Sequence, residues 1–131
     1  MSAIRPMRLF ALAALLAAPA AYSSDTEGVA ARGQQLFMTN GCPACHGVTT
    51  EDNAKVGPNL VGVMGRKAGT VKSLLGPSEN LQKYGAMWTA ETLDEFLSNP
   101  SAKVPGTAMI GLLADPQQRA DVIAYLATLK D

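Results

Sequence analysis

Both cysteines and the only histidine of this 131-residue chain fall within five consecutive residues, Cys42-Pro43-Ala44-Cys45-His46. Two thiols three positions apart sit on one side of a single backbone turn. There they can add to the two vinyl groups on one edge of a porphyrin, and the next residue then brings an imidazole to the iron, which makes C-x-x-C-H an attachment signature for c-type haem. Three other chemistries use part of the pattern. A dithiol redox site needs a strand before the first Cys and a βαβ context, but a helical pattern precedes this motif and no good strand pattern appears. Structural zinc wants four N/S ligands, and the chain offers three. A small disulfide loop in an oxidising compartment is the third.

The N-terminus bears on the compartment. Arg5 and Arg8 precede an uninterrupted apolar run over residues 9–18, and Ala18-Pro19-Ala20 and Ala21-Tyr22-Ser23 offer alternative cleavage sites. This is the pattern of a secretory signal peptide. The run is shorter than the ~18 residues a bilayer span requires. The expectation is a leader over residues 1–23, removed on export to the periplasm, and one domain over residues 24–131 with no stable membrane insertion. Lys/Arg and Asp/Glu balance in the full chain, and losing Arg5 and Arg8 leaves a formal charge of −2. Such a balance gives no general affinity for nucleic acid.

Beyond the leader the periodicity is helical. Residues 23–28 read as a polar, extended or frayed lead-in. Val29, Gly33, Leu36 and Phe37 lie on one face of a helix over residues 26–39, ended by Asn40-Gly41. Gly33 on that face either permits a close helix crossing or is a tolerated surface glycine. A short helix is expected over residues 77–84, with Gly85 ending it. Thr89 is a candidate N-cap, Leu93, Phe96 and Leu97 form an apolar face, and Asn99-Pro100 stops that helix. Asp115, Pro116 and Gln118 open the last helix, whose stripe is Val122, Ile123, Leu126 and Leu129. The fold class is therefore all-α: three main helices and one or more short ones, joined by long loops that a haem can organise.

In the Gly57-Pro58-Asn59-Leu60 segment, a rigid carbonyl can accept Nδ1–H of His46 and set its orientation and basicity. The opposite face of the iron needs another donor, because there is no second histidine. Lysine, an amine and an open site are possible; methionine is the usual soft partner. Met38 leads into the motif and would share its side of the haem, and Met87 is expected to pack beside Trp88. That leaves Met64 and Met109. Met109 is better placed, after a stiff Pro105-Gly106 turn far along the chain.

In order and spacing the residues resemble class I c-type cytochromes, the branch that includes mitochondrial cytochrome c and bacterial cytochromes c2 and c550. The resemblance spans about residues 33–129. It rests on Gly33 with Phe37, Cys42-Pro43-Ala44-Cys45-His46, Gly57-Pro58-Asn59-Leu60, Gly65-Arg66-Lys67-Ala68-Gly69, Trp88 with Glu91-Thr92-Leu93, Asn99-Pro100, Pro105-Gly106-Thr107-Ala108-Met109 and Ile123-Ala124-Tyr125-Leu126. It implies a class I cytochrome c fold around one haem c held by thioethers to Cys42 and Cys45. The implied axial ligands are His46 and Met109, with Pro58 orienting His46. Arg66 and Trp88 would lie near an inner propionate, and Thr107 would hold a propionate or the methionine loop. Gly33 and Tyr125 would form the crossing of first and last helices.

Two departures stand out. Phe96 replaces a tyrosine that in many relatives bonds the methionine sulfur, and this is expected to change the potential and the loop dynamics. The segment 73–78 lacks the usual propionate-side tyrosine, for which Tyr84 is a candidate substitute. Arg66, Lys67, Lys72, Lys83 and Lys103 are candidates for a weak docking patch, or are ordinary solvated surface. The leading function is a one-electron carrier between redox protein partners, not an enzyme, as a monomer or a small subunit. The alternatives are a dedicated haem subunit or acceptor of one dehydrogenase or reductase, a haem protein with an open sixth site, and a thiol–disulfide oxidoreductase.

Overall fold

The structure, a computed structural model, describes residues 23–76 and 78–130. The expected leader lies, but for Ser23, outside them. Five α-helices carry the described chain: α1 (Ser23–Thr39), α2 (Glu79–Tyr84), α3 (Ala90–Ser98), α4 (Pro100–Lys103) and α5 (Pro116–Leu126), with a 3-10 turn at Cys42–Ala44. Among the described residues there is no strand, only isolated bridges at Lys67–Met87 and Ser73–Gly76.

Local chemistry sets the boundaries. Thr89 Oγ1 accepts from Thr92 N at 3.2 Å while Thr92 Oγ1 accepts from Thr89 N at 2.8 Å, a reciprocal cap on α3. Asp115 Oδ1 accepts from Gln118 N at 2.9 Å and starts α5. Several boundaries differ from the sequence reading. The short helix α2 starts at Glu79, later than expected, because Ser78 is its N-cap, and α5 ends at Leu126, so Leu129 of the expected stripe packs against the core from beyond the helix. Residues 23–25, expected as lead-in, are already helical; Ser23-Ser24-Asp25 contains no apolar residue from which a period could be read. At Asn99-Pro100 one helix stops and another starts, because Asn99 Oδ1 accepts from Ala102 N at 3.2 Å and Pro100 supplies a preset φ at the first position of α4.

The frame that positions the site is the crossing of α1 and α5, the most extensive helix–helix contact. A Cβ on Gly33 would stand 1.8 Å from the Asp121 carbonyl oxygen and 3.0 Å from Tyr125 Cβ. No side chain fits there, so Gly33 serves the crossing and not the surface. Beside it Arg32 Nε reaches Asp121 Oδ2 at 3.2 Å, and the Phe37 and Tyr125 rings meet at 5.4 Å. α3 also packs against α5, and Leu93, Phe96, Leu97, Val122 and Leu126 join Phe37 and Trp88 in one core.

Candidate functional site

The 3-10 turn at Cys42–Ala44 follows directly from the end of α1. Cys45 N and His46 N both donate to Cys42 O, at 3.1 and 3.0 Å, so a single turn displays both thiols and the imidazole. Downstream the chain folds back: Gly57 N donates to Cys45 O at 2.8 Å and Leu60 N to Gly47 O at 2.9 Å. That return places Pro58 O 2.8 Å from His46 Nδ1. A carbonyl only accepts, so Nδ1 must carry the proton and Nε2 keeps its lone pair for a metal. Burial pushes the His46 pKa down, and the Pro58 carbonyl only partly opposes it. The neutral imidazole required of an iron ligand is therefore the favoured form.

Two adjoining hollows meet at this turn. The inner one, about 80 Å³, is walled by Phe37, Leu60, Val63, Leu93, Phe96 and Leu97, with Arg66 and Trp88 among its lining. The outer one, about 680 Å³, is lined by Cys45 and Thr107 among others. Cys42, His46, Met109, Ile110 and Leu112 line both. A volume of this size lies in the ~300–1,000 Å³ range of ligand and cofactor sites. Of the candidate residues seven line one hollow or both, and Pro58 reaches them through His46.

Arg66 and Trp88 are brought together by backbone pairing. Gly65 N donates to Trp88 O at 2.8 Å, Trp88 N to Arg66 O at 2.9 Å and Ala68 N to Ala86 O at 2.8 Å. The Arg66 guanidinium donates to Asn59 O at 2.8 Å and Val61 O at 3.0 Å, and burial lowers its pKa from the ordinary arginine range. It is thus turned inward and leaves the candidate docking patch. Lys103 leaves it as well, paired with Glu95 at 2.7 Å. Thr107 Oγ1 accepts from Met109 N at 3.2 Å and so braces the methionine segment.

The other methionines separate cleanly. Met38 and Met87 are 60% and 49% exposed, so Met87 does not pack as expected; its neighbour Trp88 takes the buried place. Met64 packs against the core without lining either hollow. Phe96 is buried against Trp88, ring centroids 5.2 Å apart, in the inner wall. The Tyr84 ring meets Trp88 at 5.7 Å, tilted by 38°, and lines neither hollow.

The donor set fits a porphyrin. One face of the chain presents two thiols on a shared turn, a neutral imidazole with Nε2 unclaimed, a thioether from a distant segment and an apolar wall. It does not fit thiol exchange as well. Burial raises the Cys42 pKa, whereas a reactive thiol needs it lowered. Three contributors lie outside the candidate site residues. Gly57 lies against the imidazole, Asn80 Nδ2 donates to Gly106 O at 3.1 Å, and Arg119 is buried on α5. Gly57 stood in the Gly57-Pro58-Asn59-Leu60 motif with no contact of its own assigned, and Arg119 carried a signal as well: a charge three and four residues before Val122 and Ile123, in register with the apolar stripe.

A protein-family model described as Cytochrome c matches residues 30–130. Cytochrome c2 of Rhodomicrobium vannielii is 41% identical over 117 residues, covering 88% of this chain and 89% of that protein. Cytochrome c of Trypanosoma brucei brucei is 53% identical over 77 residues, 58% of this chain and 82% of the relative. Cytochrome c of Arabidopsis thaliana is 41% identical over 101 residues, 76% and 88% respectively.

Proposed function

The chain belongs to the cytochrome c family, whose members carry electrons on a covalently attached haem c and are not enzymes; on that premise we propose a periplasmic carrier with His46 and Met109 as axial ligands and Cys42 and Cys45 as thioether anchors. When bound, the haem supplies the one-electron Fe(III)/Fe(II) couple. The protein's part is to hold, orient and insulate. The observation that carries the ligand assignment is the 2.8 Å bond from His46 Nδ1 to Pro58 O, on a residue that shares both hollows with Met109. It leaves Nε2 as the free ring nitrogen, holds the ring plane and raises imidazole basicity. A thioether on the opposite side would favour Fe(II) and raise the potential. The apolar inner wall limits water, and so the solvent rearrangement that accompanies electron transfer. Arg66 and Trp88 at the inner hollow are proposed to face a propionate, and Thr107 to hold the methionine segment. Export rests on the charged start, the short apolar run and the small-residue cleavage sites of residues 1–23, and the bacterial cytochrome c2 relative is consistent with it.

The test is optical spectroscopy of the purified haem-loaded protein in both redox states. A c-type spectrum with a weak far-red band in the ferric form is expected. Met109→Ala should abolish that band and Met64→Ala should keep it. Survival of the band in Met109→Ala would assign the sixth position to another residue.

A further inference from the structure

Residues 105–114 carry Met109 between α4 and α5. Among the described residues, a single backbone–backbone hydrogen bond involves this stretch, Thr107 N to Val104 O at 3.1 Å. The rest of its anchorage comes from side chains. Near its start Asn80 Nδ2 donates to Gly106 O at 3.1 Å, and in the middle Thr107 Oγ1 takes Met109 N. At its far end Arg119 Nη1 donates to Leu113 O at 3.0 Å and to Ala114 O at 2.8 Å. Arg119 is 8% exposed, and its Nε is fixed by Asp94 Oδ1 of α3 at 2.7 Å.

The guanidinium therefore ties three things together: α5, where it is rooted, α3 through Asp94, and the last two carbonyls of the methionine segment. Its planar fork makes those bonds at fixed angles, which an ammonium cannot reproduce. Charge-assisted bonds of this kind are roughly twice as strong as the neutral one from Asn80 at the other end. With so little backbone bonding, the placement of the segment depends on these side-chain ties together with Leu113, which is buried in the core.

We propose that Arg119, oriented by Asp94, is the positioning residue that holds Met109 on the iron. The proposal rests on the axial-ligand reading above. It predicts a population effect: an added ligand enters the sixth position only while Met109 is away, so its apparent affinity scales with the fraction of molecules in which the segment is loose.

The experiment titrates imidazole into the ferric, haem-loaded protein and follows the far-red band. Arg119→Lys and Arg119→Gln should bind imidazole at least roughly tenfold more tightly than wild type, and Asp94→Asn should shift the same way by less. Arg32→Gln is the comparison. It breaks the α1–α5 ion pair without touching the methionine segment, and should lower the melting temperature while leaving imidazole affinity unchanged. Wild-type affinity in the Arg119 variants overturns the proposal, as does an equal shift in Arg32→Gln, which would mean that general loosening suffices. If Arg119→Gln does not fold, Asp94→Asn and Arg119→Lys decide, and unchanged affinity in both overturns it. Met109→Ala separates the two claims. A far-red band that persists there removes the ligand assignment itself, whereas a lost band with unaltered Arg119 variants removes only the clamp.

Discussion

A Cβ on Gly57 would lie 2.7 Å from His46 Cε1, 2.9 Å from Nδ1 and 2.8 Å from Cys45 O. The backbone passes close to the imidazole, and that approach lets the next residue offer its carbonyl to Nδ1. Gly57→Ala must push the ring or the 57–58 segment aside and lengthen the bond to Pro58. A weaker bond makes the imidazole less basic and a poorer donor to Fe(III), which disfavours the oxidised form. The reduction potential of the folded variant should therefore rise, on the order of 50 mV, since a tenfold change in a one-electron equilibrium is about 59 mV. Cyclic voltammetry reads this directly, and an unchanged or lower potential would show that Pro58 does not tune the ligand. The contrast with His46 shows what was legible at this scale. Two thiols and an imidazole within five residues declare themselves, because their chemistry depends on local spacing. Gly57 meets His46 from 11 positions away, and Arg119 meets Asp94 from 25. Contacts of that kind follow from tertiary approach and leave almost no local trace.

Among the elements, the close pair α1 and α5 bears most on stability. Their approach at Gly33 leaves 1.8 Å between a would-be Cβ and Asp121 O, and that oxygen belongs to a helix backbone, which cannot rotate away as a side-chain tip would. Gly33→Ala must separate the helices, loosen the Phe37–Tyr125 contact and strain the Arg32–Asp121 pair. Overpacking of this kind costs typically 1–3 kcal/mol and occasionally more, and the depth of the clash puts the expected loss near ~3 kcal/mol. Denaturant unfolding of the haem-loaded protein should show a lower midpoint with little change in slope; a midpoint within error of wild type would mean the crossing yields easily. The main helices and the caps of α3 and α5 could be read from the sequence because periodicity and capping are short-range. Its own helix cannot tell whether Gly33 serves a crossing or the surface, since the reason for it lies on a helix nearly ninety residues away. The long loops were hardest to read, because their course is set by backbone pairs such as Gly65 to Trp88.

Over the whole molecule, charge decides how a partner approaches. Arg32, Lys55, Lys103 and Arg119 each have a carboxylate within ion-pair distance, and Arg66 is turned onto two backbone carbonyls. Lys67, Lys72, Lys83 and Lys130 are the other cations among the described residues, and none of them forms an ion pair. Among the described residues, none that lines the outer hollow is charged. Long-range steering needs a field of one sign over the docking face, and raises association rates by ~10–10³-fold where it exists. With an uncharged wall here and four lysines outside ion pairs, the described residues supply little of it. The protein should therefore react with charged partners at rates that hardly notice salt. Reduced haem-loaded protein can be oxidised by hexacyanoferrate(III), an anion, and by a tris-phenanthroline cobalt(III) cation, from ~0.01 M to ~1 M salt, over which the screening length falls from about 30 Å to about 3 Å. The expectation is a change of less than roughly threefold for either reagent, against the ~10-fold or larger change of a steered pair. Lys67→Glu with Lys83→Glu should leave both rates within that range. A steep fall with salt for the anion alone, lost in the double variant, would instead restore those lysines to a basic docking patch.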